Sequence, residues 1–76
     1  MKNFEIGTIL VLKGITDYGK SIITRLGKRW TIVGLQSKDV GKGAVMLMIL
    51  LESSNQRDIR WIELRDRNFK IVGMIK

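Results

Sequence analysis

Apolar residues fall in short runs, at 8–13, 21–26, 29–36, 44–52, 58–64 and 69–75. Between them lie clusters of Gly, Ser, Asn, Asp and Lys, at 14–20, 27–28, 37–43 and 53–56. Several runs carry Ile, Val, Thr or Trp in short stretches bounded by turn formers, which is the pattern of strands. Five or six strands in a chain of 76 residues predict an all-β fold, a small barrel.

Alternation along the runs supports this unevenly. In residues 69–75, Phe69, Ile71, Gly73 and Ile75 alternate with Lys70, Val72 and Met74, as on a half-buried strand. Around Thr31 both faces are largely apolar: Thr31, Val33 and Leu35 on one, Trp30, Ile32 and Gly34 on the other. Arg60, Ile62 and Leu64 alternate with Ile59, Trp61 and Glu63, which leaves the inward face open and calls for a bulge near Trp61.

Residues 44–51, AVMLMILL, form the longest uninterrupted apolar run. Ala, Met and Leu favour helix there, whereas Val and Ile favour strand. A helix apolar all round needs an interior to hide in, and a domain this small offers little, so a strand is expected. One face of that strand points inward. The other presents Met46, Met48 and Leu50 outward, as an interface to be covered by a loop, a long Lys or Arg stem, or a second subunit. Residues 64–69, LRDRNF, predict a tight turn with room for one short helical turn before the last strand, because Asp and Asn bond their own backbone.

The chain has no Cys, His or Pro. It therefore cannot build a disulfide framework, a Cys/His zinc site, or a Ser-His-Asp or Cys-His nucleophilic centre. A domain of this size buries only about 60% of the surface its unfolded chain exposes, so packing or a partner chain must carry its stability. The length fits a single domain spanning residues 1–76. The N-terminus does not read as a signal peptide, and residues 44–51 are far too few to span a membrane. No membrane association and a cytoplasmic location are expected.

The opening segment 4–12, the long loop 14–20 and the strand, turn and closing strand within 61–72 together resemble the SH3-like small-barrel superfamily. The resemblance implies five short strands, a long loop after the first, and a tight helical turn before the last. Within it, Gly7, Gly14, Gly19 and Lys20 are similar in type to a KOW motif, whose loop binds nucleic acid and protein. The short, basic, Ile- and Lys-rich style also resembles small bacteriophage proteins that engage host nucleic acid or machinery.

Fourteen Lys and Arg against seven Asp and Glu leave a formal charge of +7 on a chain with 45% apolar residues. A folded surface so charged attracts polyanions, and nucleic acid is the commonest such partner for a small basic domain. Cations neutralise phosphates, and aromatic rings stack on bases. Lys28 and Arg29 precede Trp30, and Arg57 and Arg60 precede Trp61. With Arg65 and Arg67 near the tight turn, and Tyr18 and Lys20 from the long loop, these cations form the candidate nucleic-acid-binding set. Both Trp residues sit in apolar runs and are expected in the core, whereas Tyr18 is the better stacking candidate.

Carboxylates show no metal-ligand spacing, and Gly41-Lys42-Gly43 lacks the frame of a phosphate loop. No catalytic residue, metal or cofactor is expected. The reading is a non-catalytic, basic nucleic-acid-binding module. The competing reading is a protein-binding module that docks and modulates an acidic host or cellular factor, either by an exposed strand edge or through the outer face of residues 44–51, with self-association through the same strand compatible with either reading.

Overall fold

The structure, a computed structural model, describes residues 4–64 and 66–75, and only the backbone of Val40. Its elements run β1 (Ile9–Gly14), α1 (Asp17–Leu26), β2 (Arg29–Gly41), β3 (Ala44–Ser53), β4 (Ile59–Glu63) and β5 (Phe69–Ile75). Five antiparallel strands form one sheet in the order β4-β3-β2-β1-β5, and with one short helix they make the small all-β fold expected from the sequence.

Period-two alternation decides what each strand buries. Leu10 and Leu12 of β1, Trp30 and Ile32 of β2, Ile49 and Leu51 of β3, Ile62 of β4 and Phe69 of β5 form one buried cluster with Ile22 of the helix. The ladders align them on one face: Leu10 pairs with Trp30, Ile32 with Leu51, and Ile49 with Ile62. Complete burial of such side chains stabilises by about 1.5–3 kcal/mol each.

The bulge expected near Trp61 is not there: β4 pairs with β3 in unbroken register, and a bulge lies two strands away, in β2. In β2, Ile32 pairs with Leu51 but Gly34 pairs with Leu50, so Val33 is an inserted residue. It flips the parity of β2, putting Leu35 opposite Ile49 on the inner side and Gly34 beneath Trp61 on the outer. Residues 44–51 are strand, as expected. β2 runs through the predicted 37–43 turn, which shrinks to Lys42-Gly43 with φ of 53° and 74°, the left-handed pair that closes a two-residue hairpin. Asp39 steadies it by accepting the Gly41 N–H at 2.8 Å.

The helix is where the sequence reading needs correction. Residues 14–20 are not a long loop and residues 21–26 are not a strand; from Asp17 to Leu26 they form α1. Thr16 is its N-cap, accepting the Gly19 N–H at 3.0 Å, and the Gly27 N–H donates to the Ile23 carbonyl at the other end. Ile22 is buried, with Ile23 and Leu26 packed beside it, so the Ile pair lies along the core-facing side of the helix. The expected helical turn before the last strand is absent among the described residues there. Residues 66–68 form an Asx-type turn in which Asp66 accepts the Asn68 N–H at 2.7 Å.

Helix and turn lock together. The Thr16 hydroxyl donates to Asn68 Oδ1 at 2.7 Å, and the Ile15 N–H donates to the Asn68 carbonyl at 2.8 Å. A Cβ at Gly19 would sit 2.0 Å from that carbonyl oxygen, so only glycine lets the helix approach so closely.

Candidate nucleic-acid interface

Two of the predicted binding residues meet in space, but they bind each other. Arg60 lies on the inner side of β4, opposite Leu51, at the margin of the core. Its Nε donates to Asp58 at 2.6 Å, its Nη1 donates to the Tyr18 hydroxyl at 3.2 Å, and its guanidinium carbon stands 5.9 Å from the Trp30 ring centroid. Desolvation works against the guanidinium charge, but the bonds to Asp58 and Tyr18 outweigh it and hold the pKa above its ordinary value. Arg60 is thus a clamp joining β4, α1 and the face of Trp30, with its charge already paired.

The other predicted cations are spread over the fold. Lys28 and Arg29 open β2, and Gly27 stands beside Ser54, so the 54–57 loop carrying Arg57 lies at the same end of the sheet. That loop is built by polar bonding: Ser53 donates to Asn55 Oδ1 at 2.6 Å, and Asn55 also accepts the Arg57 N–H at 3.0 Å. Lys20 is exposed on α1, and Arg67 is exposed in the turn before β5. Arg65 lies outside the described residues.

The ladder brings together a set the sequence reading did not name. Lys13 pairs directly with Lys70 across β1 and β5, on the face away from the core. One step along, Val11 lies between Gly73 and Arg29, so Arg29 is diagonal to Lys13 on the same face. Lys13, Lys70 and Arg29 are all exposed, and among the described residues the single ion pair is Arg60 with Asp58. No local signal pairs residues 13 and 70, because their contact depends on the register between the first strand and the last.

At the far side of the same outer face the chemistry changes. Trp30 is 1% exposed in the core, as expected, and donates its indole N–H to the Gly27 carbonyl at 3.0 Å. Trp61 is 45% exposed, which overturns its expected place in the core. Its ring reaches across Leu50 toward Gly34, where an added Cβ would stand 3.7 Å from Cη2. Met46, Met48 and Leu50, the predicted interface residues, are half-buried on this face. Met48 and Trp61 line a shallow depression of about 400 Å³ with Gln36 and Lys38. Tyr18, by contrast, is exposed on α1.

Among the described residues, no group of three or more carboxylates is placed to hold a metal ion, and no helix is long and apolar enough to cross a membrane. No family model, curated protein or solved structure matches the chain.

Proposed function

We propose that the chain is a non-catalytic nucleic-acid-binding module that holds the phosphate backbone of DNA or RNA on the outer face of β1, β5 and the start of β2. The observation that carries this reading is the direct cross-strand pairing of Lys13 with Lys70, with Arg29 on the neighbouring diagonal and no carboxylate in bonding range among the described residues. Like charges placed directly opposite on a ladder destabilise a sheet by up to about 1 kcal/mol. A phosphate bound between them relieves that repulsion. Lys28 and Arg57, at the same end of the sheet as Arg29, extend the cationic surface. With five antiparallel strands and an excursion after the first, here occupied by α1, the SH3-like plan remains our reading of the family.

The test is a titration of random duplex and single-stranded oligonucleotides at two or more salt concentrations. Phosphate-driven binding to duplex weakens by roughly 0.9 log units per contact for each decade of salt. Charge reversal at Lys13, Lys70 and Arg29 together is expected to abolish it. Binding that ignores salt, or survives the triple reversal, overturns the reading.

A further inference from the structure

The aromatic rings and the free cations of this chain occupy different places. All five aromatic residues are described: Trp30 and Phe69 are buried, and Phe4 packs against the same core. Tyr18 is tied by its hydroxyl to Arg60 of β4. Trp61 also stands on β4, at the opposite edge of the sheet from β5. No ring lies on the face of β1 and β5 that carries Lys13 and Lys70.

Backbone contacts draw further cations to the end of the sheet where that pair lies. Leu12 donates its N–H to the Lys28 carbonyl at 2.8 Å, which holds Lys28 beside β1. A Cβ at Gly14, the residue after Lys13, would run into the backbone of Lys20, so α1 brings Lys20 against the end of β1. The bond from the Ile15 N–H to the Asn68 carbonyl keeps the turn with Arg67 there too. Lys13, Lys20, Lys28, Arg29, Arg67 and Lys70 are all exposed. In segments 13–20, 27–29 and 66–70 these six cations stand against two carboxylates, Asp17 and Asp66. The belt starts on the outer face, with Lys13, Lys70 and Arg29, and passes round the end of the sheet to α1 and the turn before β5.

Resting on the nucleic-acid reading above, we infer that the ligand is a duplex, gripped by both of its phosphate backbones and not through its bases. A duplex carries one charge per about 1.7 Å of axis, set on two backbones across a groove, so a belt that turns a corner meets both. A single strand offers one backbone. It must also give up its flexibility to lie along fixed cations, and proteins that bind single strands recover that cost by stacking bases on rings. Here the rings are in the core or on the other edge of the sheet, so a single strand gains phosphate contacts alone.

Titration of the full chain with a duplex, and with each of its strands alone, over a series of salt concentrations tests this. The duplex is expected to bind about tenfold tighter or more, with a log–log salt slope of roughly 5 for six contacts, against roughly 2 for the three contacts a single strand makes on the outer face. Lys20→Glu combined with Arg67→Glu, both at exposed positions, is expected to weaken duplex binding by about tenfold or more and to leave single-strand binding within about twofold. Trp61→Ala and Tyr18→Leu are expected to change either affinity by less than about twofold, and single strand at saturation to leave the tryptophan fluorescence of the unmodified chain unquenched. Thermal melts confirm folding for each variant. A single strand that binds as tightly as the duplex, weakens when either ring is removed, or quenches the fluorescence overturns the inference, as does duplex binding indifferent to Lys20 and Arg67. Where that single-strand binding still vanishes on reversal of Lys13, Lys70 and Arg29, the nucleic-acid reading stands and the duplex inference alone falls. Failure of both ligands to bind at low salt removes both.

Discussion

The Arg60 guanidinium donates to the Tyr18 hydroxyl at 3.2 Å across 42 positions of sequence, tying an outer strand to the only helix among the described residues. Both residues look like nucleic-acid contacts when read in line with their neighbours. In the folded chain they hold the fold together, and Asp58 already balances the charge.

Removing that clamp is therefore a matter of stability first. Arg60→Ala is expected to cost about 1–2 kcal/mol, through the lost bonds to Asp58 and Tyr18 and the lost cover on Trp30, while Arg57→Ala stays within about 0.5 kcal/mol. Tyr18→Phe, which deletes one partly exposed bond, falls between them at about 0.5 kcal/mol. Urea denaturation of the three variants decides whether the order holds.

Lys13 and Lys70 make an opposite prediction. Reversing one of them, as in Lys13→Glu, replaces a repulsive cross-strand pair with an attractive one and is expected to stabilise the fold by about 0.2–1 kcal/mol. The same change should reduce nucleic-acid affinity, with a shallower salt dependence. A rise in melting temperature together with a fall in affinity is the signature of surface charge held for binding. A fall in both would mean that Lys13 supports the fold.

Gly19 sits inside a helix, where Ala normally stabilises by about 1 kcal/mol relative to Gly. Here the sign reverses. The Asn68 carbonyl oxygen lies 2.0 Å from the position a Cβ would take, so Gly19→Ala forces α1 away from the turn before β5 and is expected to cost about 3 kcal/mol or more. Circular dichroism melts of Gly19→Ala beside Thr24→Ala, an exposed position on the same helix, measure the difference.

The two tryptophans separate cleanly. Trp30→Ala empties the centre of the core and is expected to cost about 3–5 kcal/mol, whereas Trp61→Ala costs about 1 kcal/mol or less. In fluorescence, iodide should quench Trp61 and leave Trp30 untouched, so the Trp61→Phe chain is expected to emit blue-shifted light that iodide does not reduce.

The strand pattern was legible along the chain because alternation and turn formers are local. Residues 69–71 bury Phe69 and expose Lys70 as the period requires, but the inserted Val72 breaks the expected alternation, so Met74 rather than Gly73 and Ile75 lies on the core side, opposite Leu10; residues 44–51 are a strand whose second face is only partly covered. The helix was not legible: Ser21 to Leu26 carry two adjacent isoleucines that suit either structure, and what decides for helix is the Thr16 cap, the Gly27 end and the close fit of Gly19 on Asn68. Only the last of these is tertiary, and it sets where the helix rests.

Composition alone was enough to exclude thiol, imidazole and Cys/His metal chemistry and to leave a basic surface, and the local pattern of apolar runs and turn formers placed the strands other than the run that folds as α1. The fold decided which cations act together. Register adds contributions from segments far apart in sequence, so one inserted residue, Val33, determines which side of β2 meets Trp61, and the pairing of the first strand with the last makes Lys13 and Lys70 neighbours. Hydrophobic burial is read residue by residue, but the company a charged side chain keeps is a property of the whole sheet.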